Sequence, residues 1–499
     1  MLASATSKFE HRFCCKIRNL KLNFTIVFCL LFILMGLWGV DAASSFSEPL
    51  TDSPIRESQA PIFPVIASLC SAIDTFEDGL SPTSELHVAT TGNDLTGDGL
   101  PGNPYASIEG AAGSAVPGTA IIVHEGAYAG GGYIANLTGL PGAPIWIGGA
   151  SGEGRPVISG GTNGIQLSRA SYVIVHDLEI TGATGNGINC DDGGDYANDQ
   201  AAHHLIFRDL YIHHIGDTGN QDCLKLSGLN DYFVLDSELA FCGGGLSGSG
   251  IDHVGCHRGL IARNVIHDNS GNAVQTKGGS EDIEIRWNHI VDGGARALNM
   301  GGSTGFTYFR PPLSETQPNA EARNIRAVAN LIEGSTAPIA FVGCVDCLAA
   351  NNTIIDPGNW ILRILQETTS VPPYEFAACS NNQVINNVFY FDRSAISTYV
   401  NIGPNTAPDT FTFSNNLWYA YDNPVLSEPD LPVTESNGIY GIDPAFAGGY
   451  RISEGSPAFR NGTVVSGVAG DLIGQCYSDP PSIGAYEYLY QVCLPVIHR

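Results

Sequence analysis

The stretch VIVHDLEI at residues 173–180 is the first of nine β-rich runs that share one pattern. The others are LIFRDLYI (205–212), FVLDSELA (233–240), LIARNVIH (260–267), IEIRWNHI (283–290), IRAVANLI (325–332), LAANNTII (348–355), QVINNVFY (383–390) and FTFSNNLW (411–418). A small polar residue recurs in these runs, at Asp177, Asp209, Ser237, Asn264, Asn288, Asn330, Asn352, Asn387 and Asn416. The shortest intervals between these positions have the length of one turn of a parallel β-helix, and the longer intervals leave room for loops.

Asparagine at one point of every turn has a physical reason. Stacked turns place equivalent side chains about 4.8 Å apart, so each amide can donate to one neighbour and accept from the other. An α/β fold would need a long helical run after each strand, where this chain has turns rich in glycine and asparagine. The sequence therefore predicts an all-β, single-stranded, right-handed parallel β-helix over residues 86–430, closed by residues 431–499. The segment 104–115 is predicted to be an N-terminal helical cap.

The first 43 residues are predicted to be a signal peptide. A basic start is followed by an uncharged apolar run at 22–40 and by small residues around Ala42. This order is typical of secretory signals, although a run of this length could also anchor a chain in a membrane. Residues 44–85 are rich in Ser, Pro and Thr and are predicted to be a disordered linker. We expect a secreted, extracellular or cell-surface protein that leaves the membrane after signal cleavage and is a monomer.

Acidic residues dominate the chain. It has 50 Asp and Glu against 23 Lys and Arg, a net charge of −27. Such a surface repels nucleic acid and anionic membranes, which argues against both as partners. After residue 43 the lysines are Lys225 and Lys277, so their positions are candidates for a special role.

Cysteine usage fits an oxidising compartment. Ten cysteines follow residue 43, and an even number in a secreted chain predicts disulfides. Cys344 and Cys347 have CxxC spacing, but no second CxxC accompanies them, so a zinc site is not favoured.

Five neighbouring turns carry a second pattern, a polar strand that ends in glycine. The stretches are GNGINCDDGGD (185–195), GNQDCLKLSG (219–228), GSGIDHVGC (248–256), GNAVQTKGGS (271–280) and ARALNMGGS (295–303). Stacked on one face, they would form an open groove suited to a polysaccharide, which we predict as the partner. Asp252, His253, Gln275 and Asn299 are predicted to bind substrate there.

Several stretches resemble the pectate-lyase-like superfamily of secreted β-helix proteins. They are 102–131, APIWIGG (143–149), RPVISGG (155–161) and 171–188, and the closing segments 441–463 and 482–488 also resemble such proteins. The Pro-Gly-Thr and Gly-Ala-Tyr elements look like the opening of the chondroitinase B and alginate lyase group. The resemblance implies the fold and the compartment, whereas the superfamily includes lyases, hydrolases, epimerases and non-enzymes.

In the chondroitinase B and alginate lyase group, a lysine on one strand and an arginine on the next turn perform the elimination. The stretch 272–302 is similar to that part of the group, and Lys277 matches the lysine. The expected arginine position reads Leu298-Asn299-Met300, and Arg296 lies nearby. The resemblance implies Lys277 as the base, with Lys225 or Arg296 stabilising charge. A base must take the proton beside the uronate carboxylate, and cations must neutralise that carboxylate.

Partial polygalacturonase-like motifs are present as well. QDCLKLSG (221–228) looks like that family's Asp-Asp-Cys strand, and CGGGL (242–246) looks like its Cys-x-Gly-Gly-His-Gly strand. The match implies a disulfide between Cys223 and Cys242 and a catalytic role for Asp222. Gln221 replaces the first aspartate and the histidine is absent, so the pair of carboxylates needed for inverting hydrolysis is incomplete.

A calcium ion would suit an acidic groove that binds a polyuronate. Asp191, Asp192 and Asp195 supply hard oxygen ligands on one loop and are predicted as the metal site. Three hypotheses about function follow: a lyase acting on a uronate-containing glycan, a non-catalytic β-helix that binds carbohydrate or serves a structural role, and a hydrolase or epimerase using the same groove.

Overall fold

The structure is a computed structural model that describes residues 70–216, 219–245 and 247–488. In chain order the strands are β1 (Ser84–Val88), β2 (Thr119–Val123), β3 (Ala127–Ala129), β4 (Gly132–Ala135), β5 (Ile145–Gly149), β6 (Val157–Ser159), β7 (Ile165–Ser168), β8 (Ser171–His176), β9 (Glu179–Thr181), β10 (Ile188–Asp191), β11 (His203–Arg208), β12 (Tyr211–Ile215), β13 (Leu224–Ser227), β14 (Asn230–Leu235), β15 (Glu238–Cys242), β16 (Ser249–Val254), β17 (His257–Ala262), β18 (Val265–His267), β19 (Asn272–Lys277), β20 (Ser280–Arg286), β21 (His289–Val291), β22 (Arg296–Gly301), β23 (Ala322–Arg323), β24 (Arg326–Val328), β25 (Leu331–Glu333), β26 (Ala337–Val342), β27 (Cys344–Val345), β28 (Leu348–Ala350), β29 (Thr353–Ile355), β30 (Trp360–Leu365), β31 (Gln383–Ile385), β32 (Val388–Phe391), β33 (Thr398–Ile402), β34 (Thr412–Ser414), β35 (Leu417–Ala420) and β36 (Ile439–Tyr440). The α-helix is α1 (Ile108–Ala112), and the 3-10 helices are Phe306–Tyr308, Arg393–Ala395, Pro408–Thr410, Pro424–Leu426 and Gly448–Tyr450.

The strands form three parallel sheets, and each turn of the chain contributes one strand to each sheet. Sheet 1 runs in the order β1-β2-β5-β8-β11-β14-β17-β20-β24-β28-β31-β34, with β23 and β27 beside it. Sheet 2 runs β4-β7-β10-β13-β16-β19-β22-β26-β30-β33, and sheet 3 runs β3-β6-β9-β12-β15-β18-β21-β25-β29-β32-β35-β36. Apart from β1 with β2 and β35 with β36 at the two ends, each strand pairs in parallel with strands of the neighbouring turns, which confirms the predicted parallel β-helix.

Side chains along each strand point alternately into the β-helix, where they form the core, and out of it. In β13, for example, Leu224 and Leu226 are fully buried, while Lys225 and Ser227 between and after them face outward. Inward residues of all three sheets meet in one continuous apolar cluster that extends from Val88 to Ala420. No single turn could bury its apolar side alone, so stacking supplies the core.

The asparagine ladder is present from Ser237 onward. The Oδ1 atom of each asparagine accepts from the backbone N–H of its counterpart one turn earlier at 2.8–3.0 Å, through Asn264, Asn288, Asn330, Asn352, Asn387 and Asn416. From Asn264 to Asn387, each side-chain amide also donates to the Oδ1 atom of the next asparagine at 2.9–3.0 Å. The ladder ends on Glu435, whose Oε1 accepts from Asn416 Nδ2 at 2.7 Å.

The alignment of the first two runs was wrong by one residue. The Ser237 Oγ accepts from the backbone N–H of Leu210, so buried Leu210 occupies the ladder position and Asp209 precedes it. Asp177 and Asp209 instead adopt left-handed backbone, with φ of 50° and 54°. The residue before the ladder asparagine makes the sharp corner in later turns too, as Arg263 does with φ of 59°.

Helix α1 is shorter than the predicted segment. Ser107 is its N-cap and accepts from the Gly110 N–H at 3.0 Å, while Gly113 ends it. Ile108, Ala111 and Ala112 are buried in the core cluster. The proposed role of this segment as a cap stays a prediction.

The end of the predicted disordered linker belongs to the folded body. Cys70 forms a disulfide with Cys476, and Glu77 accepts from Trp146 Nε1 at 3.2 Å and from Arg208 Nε at 3.0 Å. These contacts reach residues distant in the sequence, which composition alone does not indicate. Residues 44–69 and the predicted signal peptide lie outside the described residues.

Two further disulfides lie within the stacked turns, and the closing segment adds to the core. Cys223 pairs with Cys242 as the resemblance implied, and Cys344 pairs with Cys347. Residues 446–488 pack along the outside of the stacked turns, where Trp287 Nε1 donates to the Gly470 carbonyl at 2.9 Å. Among the described residues, none of the helices is both long enough and apolar enough to span a membrane.

Candidate functional site

A cleft of about 650 Å³ lies on the outward face of sheet 2. Its floor is formed by β7, β10, β13, β16 and β19, and one side is formed by residues 303–310, which follow β22. The residues that line it are Tyr133, Ser168, Asn189, Asp191, Asp192, Gly193, Gly194, Tyr196, Asn220, Lys225, Ser227, Val254, Lys277, Ser303, Thr304, Gly305, Tyr308 and Arg310. The two lysines and the acidic loop predicted from the sequence thus meet at one cleft.

Lys225 and Lys277 are joined by a carboxylate beneath them. Lys225 on β13 pairs in register with Asp252 on β16, and Lys225 Nζ donates to Asp252 Oδ2. Lys277 Nζ lies 3.3 Å from the same oxygen and donates to Gln275 Oε1 at 3.0 Å. Asp252 is fully buried, whereas both lysine side chains are partly exposed to the cleft. The arrangement presents two ammonium groups to a ligand and hides the carboxylate that holds them.

A second buried carboxylate, Asp222, lies beside Lys225. Its Oδ1 accepts from the Ser249 N–H at 2.7 Å, and its Oδ2 is 3.4 Å from Lys225 Nζ. Burial, together with the nearby charge of Asp252, raises the pKa of Asp222 to about 6. Neither carboxylate lines the cleft, so both act on a ligand only through the lysines.

The charge state of this cluster follows from the balance between burial and pairing. Burial would lower the pKa of Lys225, but Asp252 and Asp222 outweigh it and raise that pKa above the usual lysine range. Burial likewise opposes the charged form of Asp252, yet Lys225 and Lys277 outweigh it and lower the pKa of that carboxyl. Lys225 is therefore a fixed positive charge at the cleft floor.

The prediction that His253 binds substrate is wrong. Because Asp252 faces outward, His253 points into the core, where it is fully buried and its Nδ1 donates to the Gln275 carbonyl at 2.8 Å. Its ring lies 5.6 Å from that of Tyr232. Burial lowers the pKa of His253 to about 4, so the imidazole is neutral at neutral pH.

Gln275 and Asn299 continue the row that contains Lys225 and Asp252, but both are largely buried. Gln275 supports Lys277, and Asn299 Oδ1 lies 3.4 Å from Arg296 Nη1. Arg296 does not line the cleft and is ion-paired with Glu367. The structure therefore places Lys225, rather than Arg296, beside Lys277.

The three aspartates predicted to bind calcium face different partners. Asp191 accepts from Gln166, Ser168, Asn189 and the Gly193 N–H, at distances of 2.7–3.1 Å.

Asp192 is buried and ion-paired with Arg310. Asp195 lies 3.9 Å from Arg169 and accepts a hydrogen bond from Asn198 at 3.0 Å. Across the described ranges, no group of three or more His, Cys, Asp or Glu side chains is arranged to hold a metal ion. Their present arrangement does not fit one shared ion, and calcium here stays a prediction.

Arg310 is a cleft residue that sequence reasoning missed. It lies on the long connection between β22 and β23, 118 residues from Asp192, and forms a two-pronged ion pair with that carboxylate through Nε at 2.6 Å and Nη2 at 3.1 Å. Its guanidinium lies 4.1 Å from the centre of the Tyr196 ring. The connection carries no repeat pattern, so only the folded chain reveals the pairing.

The same connection is anchored by a buried carboxylate. Glu321 accepts from the N–H groups of Gly278 and Thr304 at 2.8 Å and from the Thr304 hydroxyl at 2.8 Å. Thr368 also donates to it. These contacts fix the side of the cleft to the end of β19, next to Lys277.

Of three comparisons with known proteins, the one with solved structures finds a similar fold. A scan against models of protein families finds no match, and a search of curated proteins finds none either. Among solved structures, pectate lyase Pel9A is similar with a TM-score of 0.52 and 17% identity, covering 82% of this chain and 98% of that one.

An alginate lyase from Paenibacillus sp. str. FPU-7 has a TM-score of 0.40 and 15% identity, covering 65% of this chain and 97% of that one. A structure titled glycoside hydrolase has a TM-score of 0.47 and 10% identity, covering 70% and 99%. With its three parallel sheets and its likeness to pectate lyase Pel9A, this chain has the right-handed parallel β-helix fold of the pectate-lyase-like proteins.

Proposed function

We propose that this protein acts on a uronate-containing polysaccharide in the cleft of sheet 2 and cleaves it by β-elimination. The observation that carries the proposal is the pair of lysines, Lys225 and Lys277, held by buried Asp252 at the cleft floor. In a chain with a net charge of −27, two adjacent cleft ammonium groups fit an anionic ligand. Pectate lyase Pel9A shares the fold, so the fold is compatible with chemistry on such a polymer.

In the proposed reaction, Lys225 donates to the uronate carboxylate and stabilises the negative charge that develops there. Lys277 in its neutral form takes the proton from the carbon beside that carboxylate. The electron pair of that C–H bond forms a carbon–carbon double bond, the glycosidic C–O bond breaks, and the departing oxygen takes a proton from solvent. The base is assigned to Lys277 because it contacts one buried carboxylate, whereas Lys225 contacts two, which raise its pKa.

The geometry favours elimination over hydrolysis. Inverting hydrolysis needs one carboxyl group on each side of the scissile bond. Asp222 and Asp252 are both fully buried below the lysines and cannot contact a sugar. The raised pKa of Asp222, about 6, follows from that burial and from Asp252.

A specific contact favours a second candidate function, carbohydrate binding without cleavage. Lys277 Nζ lies 3.3 Å from Asp252 Oδ2, an ion pair that suits an ammonium group that binds anions without acting as a base. Product analysis separates the two candidates, since only elimination generates an unsaturated sugar.

The test is incubation of the protein with polygalacturonate, alginate and chondroitin sulfate, with and without added calcium. We expect an unsaturated product that absorbs in the ultraviolet on at least one polymer. Lys277→Met should reduce the rate about 10²- to 10⁴-fold, the usual contribution of a general base.

Lys225→Met should reduce the rate as well, while Arg155→Gln, which removes one exposed positive charge far from the cleft, should not. A pH–rate profile of the wild type should show one group that must be deprotonated, and this limb should vanish in Lys277→Met. Polymer binding without any unsaturated product would establish the binding function instead, and reducing ends without unsaturation would indicate hydrolysis.

A further inference from the structure

A second group of cationic side chains lies on the outward face of sheet 2, beyond the cleft. Arg363 on β30 is partly buried and donates from Nε to Asn401 Oδ1 at 3.0 Å. Its guanidinium lies 4.3 Å from the centre of the Trp360 ring. Within residues 70–216, 219–245 and 247–488, Arg363 forms no ion pair with a carboxylate, so its charge is not neutralised by a direct partner.

Arg296 lies close enough to act electrostatically on Arg363. Burial, together with the charge of Arg296, lowers the pKa of Arg363, and Glu367 opposes this. Glu367 is ion-paired with Arg296 and not with Arg363. The local excess of positive charge is unusual in so acidic a chain and would be relieved by a bound anion.

The backbone register places small residues on the strand between these arginines. Strand β26 separates β22 from β30 and presents alanines, Ala337 opposite Arg296 and Ala340 opposite Arg363. Both alanines are fully buried, and their short side chains do not project between the two arginines. The fork of an arginine suits a carboxylate or sulfate, which accept two parallel hydrogen bonds.

The register also aligns this group with the cleft. Lys225, Asp252, Gln275, Asn299, Ala340 and Arg363 occupy one row across six successive strands. Arg363 is three strands from the strand of Lys277, about 14 Å along the helix axis. A polysaccharide lying along this axis would cover that span with several sugar units.

We propose that Arg363 and Arg296 form a second anion-binding subsite, which binds a carboxylate or sulfate several sugars away from the one on Lys225 and Lys277. This inference rests on the proposed function, and it specifies that the substrate is a polymer with repeated anionic groups. Chain length then controls affinity, because a short oligomer contacts the lysines only and a long one contacts both subsites.

Calorimetric binding of digalacturonate and hexagalacturonate to the full-length protein tests the proposal, with Lys277→Met as background so that no ligand is consumed. We expect the hexamer to bind more tightly than the dimer. Arg363→Gln should weaken hexamer binding about 10- to 100-fold and leave dimer binding unchanged. Arg155→Gln is the matched control for loss of one positive charge and should change neither affinity.

A second variant avoids disturbing the packing around Arg363. Asn401→Asp keeps the shape of the side chain that accepts from Arg363 and adds a carboxylate, which neutralises the guanidinium. It should weaken hexamer binding as Arg363→Gln does. If both variants bind hexamer and dimer with the affinities of the background protein, the second subsite does not exist. The proposed cleft function survives that result if the dimer binds and Lys225→Met weakens its binding. If the background protein binds neither oligomer and the wild type forms no unsaturated product from any of the three polymers, both proposals are overturned.

Discussion

Replacing Asp252 with asparagine removes the carboxylate that both cleft lysines contact and changes little else. The side chain keeps its size and remains buried on β16. Lys225 retains Asp222 at 3.4 Å, whereas Lys277 retains only the Gln275 oxygen at 3.0 Å. The variant therefore separates the charge of Asp252 from its packing.

The expected loss of stability in Asp252→Asn follows from the burial of this carboxylate. Removing one partner of a buried ion pair usually costs about 3–5 kcal/mol, because the remaining charge is left without compensation in a poorly solvated position. The lysines are partly exposed and Lys225 keeps a second carboxylate, so we expect the lower end, about 3 kcal/mol. The surface pair of Asp236 and Arg263 provides the control, since Asp236→Asn removes a carboxylate that is 36% exposed and should cost no more than about 1 kcal/mol.

Urea unfolding monitored by tryptophan fluorescence measures both free energies of unfolding. The double variant Asp252→Asn, Lys277→Met should be less destabilised than the sum of its single variants, because each removes part of the same interaction. A loss below about 0.5 kcal/mol for Asp252→Asn, the range of ordinary surface substitutions, would refute the view that Asp252 holds the lysines in place.

Further outcomes follow from other buried groups. The pKa of His253 is lowered to about 4, so stability should fall as pH decreases from 6.5 towards 4, and His253→Gln should reduce this loss in acid unfolding curves. Asp222 affects the pH dependence of stability in the opposite direction. Its pKa is raised to about 6, so its protonation favours the folded state as pH falls below that value, and Asp222→Asn should make the loss of stability in acid steeper. Asn330→Ala removes the acceptor of the Asn288 backbone N–H and of its side-chain Nδ2, and should lower the free energy of unfolding in urea by about 1–3 kcal/mol. A change near zero would contradict a stabilising role for the asparagine ladder. Arg310→Gln leaves buried Asp192 unpaired and should cost about 3 kcal/mol, and unchanged stability would contradict that pairing.

The repeat pattern was sufficient to predict the fold because stacking imposes one requirement on every turn. Each turn must satisfy the polar groups at its corner, and the asparagines that do so recur at Asn264, Asn288 and Asn330. At Leu210 the ladder position holds leucine and the polar residue is the preceding Asp209, so the alignment shifted by one. Side chains alternate along a strand, so Asp252 and His253 could not both face the cleft, and the buried one is His253.

The two lysines were singled out by a different signal, the scarcity of lysine together with the resemblance of the stretch 272–302. What the sequence could not show is how connections return to the sheet. Arg310 reaches Asp192 from a connection without a repeat, and Cys70 reaches Cys476 across nearly the whole chain. Such pairings depend on where long connections lie in space, which short-range patterns do not determine.

The most direct test of an anionic glycan over the two lysines is a crystal structure of the Lys277→Met protein with hexagalacturonate. The oligosaccharide should lie along sheet 2 with one uronate carboxylate within hydrogen-bond distance of Lys225 Nζ. A hexamer bound on sheet 1 or sheet 3, or in the cleft with its carboxylates directed away from Lys225, would contradict the account.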